Sequence, residues 1–175
     1  YDLIDTDFAP QVAATYPVLL IPSGGLFGLE GSASFRARLA QYASQGGVIL
    51  ASSQQRGYEF SALPGGLSGY GWAEDQSCFG ASVYFPQYHQ ALSGFNRSSL
   101  TALVDGYFTT YPTATVSLLD RSKNGASAAV LYPYGDGYVI ATTIYADWGR
   151  SNFQYGQDDV RIWRDLIAWG ALIET

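Results

Sequence analysis

Two short runs, Val18-Leu19-Leu20-Ile21 and Val48-Ile49-Leu50-Ala51, are apolar at every position. A strand with no polar face is covered on both sides, as in a parallel sheet. Between the runs, Phe35, Leu39, Tyr42 and Ala43 recur at i, i+4, i+7 and i+8, which is one face of a helix. Ser34 can cap that helix and Gly46-Gly47 can end it. The spacing predicts strand, helix and strand, a βαβ unit.

The pattern then changes. From Gly57 to Phe95 no helical or alternating period is sustained, and Pro64-Gly65-Gly66 and Gly69-Tyr70-Gly71 mark turns. Such a segment is either a functional loop or a cover over the sheet. Regularity returns with strands predicted at 115–120, 128–132 and 138–145, separated by Lys123-Asn124-Gly125 and Gly135-Asp136-Gly137. The chain closes on a helix capped by Asp158 or Asp159. Val160, Trp163 and Ile167 lie on one side of it, with Ile162, Leu166 and Trp169 beside them. Tyr1 to Ile4 is apolar but too short to stand alone. No repeat or linker interrupts the pattern, so 1–175 is read as one α/β domain.

Composition narrows the function. The 175 residues are 47% apolar and 14% charged, which is material enough for a folded core. The net charge of −6 and the absence of a basic cluster argue against nucleic-acid binding. No apolar run is long enough to span a membrane. One Cys and one His cannot make a Cys/His zinc site. The chain opens at Tyr1 and has no Met, so it is expected to be a piece of a larger protein. A single lysine, Lys123, amid abundant Tyr, Ser, Thr and Gly suggests an extracytoplasmic bacterial origin.

Two stretches carry a family likeness: VLLIPSGG followed by a helix and GGVILASSQ, and YGDGYVIATTIYADWG followed by the terminal helix. Together they resemble the class I glutamine amidotransferase-like domains, with their trehalose-utilisation-like and β-galactosidase-associated relatives. The resemblance implies a flavodoxin-like three-layer sandwich with a mainly parallel central sheet and a C-terminal antiparallel hairpin. It also implies a first strand upstream of Tyr1, or one supplied by another chain. The family places a nucleophilic Cys on a strained elbow after its second matched strand, and a His late in the chain. Here Ser53 stands in the first place, followed by Gln54 and Gln55, and Asp147 or a neighbour stands in the second. With both groups changed, glutamine hydrolysis by the family mechanism is not expected.

Each candidate has a functional and a structural reading. Ser53, with Ser52 beside it, could be a nucleophile if His89, the lone histidine, came within reach. Alternatively these hydroxyls hold a strand end. Cys78 could be a displaced nucleophile, but Glu74 and Asp75 nearby oppose thiolate formation, and the structural reading is a small buried hydrophobe. Glu74, Asp75, Asp105 and Asp147 could supply a carboxylate pair for glycoside hydrolysis, with Trp72 and Trp148 to stack on a sugar. As turn acids they would cap backbone amides instead. Gln54, Trp72 and Trp148 are the candidate ligand-binding residues. Asp136, Asp158 and Asp159 are explained by a hairpin and a helix start, so no metal is expected. Gly24-Gly25 and Gly65-Gly66 lack the rest of a phosphate loop, and no cofactor is expected. The leading expectation is a non-catalytic binding or assembly module. Its partners would be other domains or chains of the parent protein, or a carbohydrate or small molecule. The alternative is a hydrolase using Ser53, or a carbohydrate-active accessory domain with paired carboxylates.

Overall fold

The two apolar runs become neighbouring parallel strands, and the helix between them packs on one face. In the computed structural model, which describes residues 1–76, 81–151 and 158–173, these are β1 (Val18–Ile21), α1 (Ala33–Ser44) and β2 (Val48–Ala51). The other strands are β3 (Ser68–Tyr70), β4 (Ala81–Tyr84), β5 (Ser99–Ala102), β6 (Tyr107–Thr110), β7 (Val116–Arg121), β8 (Ser127–Tyr134) and β9 (Gly137–Thr142). Two helices follow, α2 (Ala146–Ser151) and α3 (Asp159–Leu172).

Among the described residues the main sheet has seven strands in the order β1-β2-β9-β8-β7-β4-β5. The pairs β1–β2 and β2–β9 are parallel, and the remaining pairs are antiparallel. Consequently β1, β2, β9, β7 and β5 point one way, and only β8 and β4 run against them. The predicted hairpin is present as β8–β9, joined through Gly135-Asp136 with Gly135 at φ 61°. β1 forms one edge of the sheet.

β2 accounts for the layers. Its Ile49 and Ala51 join a core with Phe35, Leu39, Tyr42 and Ala43 of α1. Its Val48 and Leu50 join a second core with Ile162 and Leu166 of α3. The strand is therefore covered on both faces, as its unbroken apolar run requires. The α/β flavodoxin-like sandwich expected from the sequence is the architecture found.

Local expectations change in five places. The cap of α1 is Ser32, whose hydroxyl accepts from Phe35 N–H at 3.3 Å, and Ser34 lies inside the helix. The irregular middle contributes two strands, β3 and β4, and the stretch after it two more: β4 and β5 extend the main sheet, and β3 pairs with β6 in a small second sheet. These strands are three or four residues long, below the length at which a period becomes legible. Asp147-Trp148-Gly149 lies in α2, not in a turn. Asp158 precedes α3, but its carboxylate turns away to accept Thr101 N–H at 2.8 Å and to pair with Arg97. Asp159 likewise accepts Leu103 N–H at 2.9 Å, so both acids fasten α3 to β5 and the residue after it. Val160 stays exposed, because the buried stripe of α3 is centred on Ile162 and Leu166.

Candidate functional site

β1, β2 and β9 run in one direction, so their C-terminal ends bring three loops together, the usual place for a ligand in an open α/β sheet. The loops are tied by backbone bonds: Gly24 N–H to Ser53 C=O at 2.9 Å and Ser53 N–H to Ile144 C=O at 3.3 Å. Gln54 adds a third tie. Its side-chain Oε1 accepts Leu26 N–H at 2.9 Å, and its Nε2 donates to Ser52 C=O at 2.8 Å and Pro22 C=O at 3.3 Å. Asp147 adds a fourth, accepting both the N–H of Ser23 at 2.7 Å and its hydroxyl at 2.6 Å.

A cavity of about 650 Å³ opens among these loops. Phe27, Trp72, Tyr145 and Trp148 supply its aromatic walls, and Ser23, Gln55, Gln76 and Asp105 supply its polar groups. Gly24 makes room for one wall: at φ +74°, a Cβ there would sit 3.2 Å from the Trp72 ring. Asp105 is 7% exposed, and its N–H donates to Thr143 C=O at 3.3 Å, which fixes it to the residue after β9. The next residue, Gly106, has φ +80° and approaches Tyr70 so closely that a Cβ would lie 2.0 Å from its carbonyl. Only glycine fits there, so the backbone next to Asp105 can pack against Tyr70 and Gly71.

The sequence-predicted site residues separate. Ser53 is fully buried and its hydroxyl has no partner, and outside glycine only Ala114 among the described residues has positive φ. The strained, exposed elbow of a nucleophile is therefore absent at Ser53. His89 lies at the other end of the sheet. Its Nδ1 accepts Ala91 N–H at 3.1 Å, and its ring meets that of Trp169 at 5.5 Å. The neighbouring Gly170 packs against Val18 and Val48, where β1 and β2 begin. Burial also holds the imidazole pKa below its usual value. Ser53 and His89 thus form no dyad.

Asp75 is paired with Arg121 at 2.9 Å. Glu74 accepts Gly57 N–H at 2.7 Å and Gly71 N–H at 2.9 Å, the turn role its position suggested. Of the four acids considered as a glycosidase pair, only Asp105 lines the cavity. Of the three ligand-binding candidates, Trp72 and Trp148 line it, whereas Gln54 is buried as a tie and Gln55 takes the place facing the cavity. Cys78 lies outside the described residues. Among the described residues there is no cluster of three or more metal-ligating side chains, and no helix is long and apolar enough to cross a membrane.

The sequence reading missed Ser23, Phe27, Gln55, Gln76 and Tyr145. Ser23 and Phe27 follow the predicted β1 in PSGGLF, and a loop leaving the C-terminal end of a parallel strand was the available signal. Gln76 carried none.

No protein-family model matches the chain, and no curated protein matches it. Solved structures do. A GMP synthase-like protein from Thermoplasma acidophilum superposes with a TM-score of 0.61 at 13% identity, over 97% of this chain and 80% of that one. The two share a fold, which agrees with the class I glutamine amidotransferase-like resemblance in the sequence. A ThuA-like protein from Bacteroides uniformis gives a TM-score of 0.58 at 13% identity, over 95% of this chain and 71% of that one. A β-galactosidase from Rahnella sp. R3 gives 0.59 at 13% identity, over 99% of this chain but only 25% of that one. These likenesses establish the shared fold.

Beside the loops, Glu59 is buried with one carboxylate oxygen lacking a partner, and Glu30 nearby has another. Burial raises the Glu59 pKa, and Glu30 adds to the rise against bonds from the Arg56 and Gln55 backbone. A raised folded-state pKa means that the proton favours the folded state. This contribution is complete below the ordinary glutamate pKa and is lost as pH rises through the raised value. Glu59→Gln should therefore gain stability relative to wild type at about pH 7 and show little difference at about pH 4. Urea denaturation at both pH values measures this. An equal effect at both would show that Glu59 does not titrate differently on folding.

Proposed function

We propose that this domain is a non-catalytic ligand-binding module whose site is the aromatic cavity at the ends of β1, β2 and β9. The observation that carries this reading is the split between chemistry and access. Ser53, in the nucleophile's sequence position, is sealed and has no base, while the accessible cavity beside it is lined by aromatic rings, two glutamines, Ser23 and Asp105. Ser23 reaches the cavity, but its hydroxyl and N–H are both given to Asp147, whose carboxylate acts as a clamp for the loop. The cavity volume is in the range of small-molecule sites. The likeness to a quarter of a β-galactosidase chain supports a module working within a larger protein.

The test is Ser53→Ala. The side-chain oxygen it removes is buried and unpartnered, so stability should be unchanged or higher by about 1 kcal/mol. Wild type and variant should be equally inert toward glutamine and p-nitrophenyl esters. Turnover present in wild type and abolished in Ser53→Ala would overturn the reading in favour of a hydrolase.

A further inference from the structure

We propose that β1 receives an added strand: an extended segment of another polypeptide chain, apolar on both faces and basic at the end beside Tyr16. The two edges of the main sheet differ. At β5 the outward backbone is taken up. Thr101 N–H donates to the Asp158 carboxylate at 2.8 Å, its C=O accepts Asp158 N–H at 3.1 Å, and Leu103 N–H donates to Asp159 at 2.9 Å. At β1 it is not. Val48 N–H donates to Pro17 C=O and Ser52 N–H to Ile21 C=O, so in a parallel ladder Pro17, Leu19 and Ile21 turn their backbone groups toward β2. Val18 and Leu20 turn their N–H and C=O groups away from the sheet, where neither meets a partner among the described residues. Leu20 is 40% exposed, so this edge opens to solvent. A row of such groups is a template for one more strand.

The edge also sets what fits it. Leu19 packs against the core under α1 and Val18 against the core under α3, each only partly buried. A strand laid beside them continues both layers, so it is apolar on both faces, like β2. Pro22, the next outward position, has no N–H, and its C=O already accepts Gly25 N–H at 2.9 Å, so the ladder ends there. Charge is set at the other end. Asp2 accepts the hydroxyl of Tyr16, two residues before β1. Further along that segment the Phe8 ring meets Tyr42 edge-on at 6.2 Å, and the Tyr42 hydroxyl donates to Tyr16 C=O at 2.7 Å. Asp2, Asp5 and Asp7 are therefore strung past Tyr16, all exposed. They attract Lys or Arg at that end of an arriving strand and repel Asp or Glu. A second copy of β1 lacks such an end, since residues 1–35 hold no Lys or Arg.

The experiment is fluorescence-anisotropy titration of the intact chain into a labelled peptide, Thr-Val-Ile-Val-Ile-Lys-Lys, into its counterpart ending in Glu-Glu, and into an N-methylated form of the first. Antiparallel pairing, slightly the stronger kind, puts the C-terminal lysines beside Tyr16. The lysine peptide should bind about tenfold more tightly than the glutamate peptide at low salt, with the gap closing as salt rises. The N-methylated form, stripped of donors, should not bind. Leu20→Pro removes one outward donor at an edge position that tolerates proline, and Leu20→Lys places a like charge against the peptide. Each should weaken binding about tenfold, while Val160→Lys, on the exposed side of α3, should not change it. If Leu20→Pro fails to fold, Leu20→Lys and the N-methylated peptide still decide. Equal binding of the N-methylated form, or no effect of Leu20→Lys, would overturn strand addition at β1. Equal binding of the glutamate peptide would overturn the basic end. Silence of all three peptides would overturn the proposal outright. A wild-type dimer that Leu20→Lys turns into a monomer would give the edge to a second copy and overturn the foreign strand.

Discussion

Arg121→Ala is expected to lower folding stability by about 3 kcal/mol, the lower end of the range for breaking a buried charge pair. The guanidinium is 1% exposed and holds three elements together. It donates to Asp75 at 2.9 Å and to Gly106 C=O at 2.9 Å, and it lies 5.1 Å from the centre of the Tyr107 ring. Truncation leaves the Gly106 carbonyl without this donor and removes the cation facing Asp75. Asp75 is 22% exposed, so water recovers part of its charge and keeps the loss from the top of the range. Urea denaturation checks the value. Arg164→Ala is the control: its side chain is 70% exposed against Asp165, and the change should stay within about 0.5 kcal/mol. Similar losses at the two positions would mean that the buried pair adds nothing.

Gly57→Ala should cost about 3 kcal/mol for a different reason. A Cβ at Gly57 would lie 1.7 Å from the carbonyl oxygen of Gly69, a backbone atom of β3 that cannot swing aside. The Gly57 N–H is also held by Glu74 at 2.7 Å, so relief by moving the Gly57 backbone sacrifices that bond. Gly28→Ala separates close approach from backbone conformation. Gly28 has φ +74° but open space where a Cβ would go, so it should cost only about 1 kcal/mol. Thermal or urea unfolding of the two variants gives the comparison. A Gly57→Ala loss no larger than that of Gly28→Ala would show that the β3 contact is soft.

Much of the sheet's centre was legible because burial on both faces writes itself into sequence. Val48 to Ala51 has no polar position, and the structure covers it with α1 on one side and α3 on the other. The middle was not legible, since strands such as Ser68–Tyr70 owe their existence to a partner far along the chain. The site was half legible. Trp72 and Trp148 stood out as residue types, but their convergence depends on loops joined only in three dimensions. Asp147 shows why: its partner Ser23 lies 124 residues away, so nothing local distinguishes a clamp from a turn acid. Gln54 and Gln55 differ by one position, and past a strand end successive side chains point to opposite sides. One residue therefore became an interior tie and the next a wall of the cavity.

That division has a bearing on how the domain can change over evolutionary time. Gln54 and Asp147 hold the loops in place, yet neither lines the cavity, and Phe27, Gln55, Gln76 and Trp148 line it without supplying those two ties. Mutation can rewrite the lining while the ties keep the loops where they are. A scaffold divided in this way can exchange one ligand for another by surface substitutions, with no passage through an unfolded intermediate sequence.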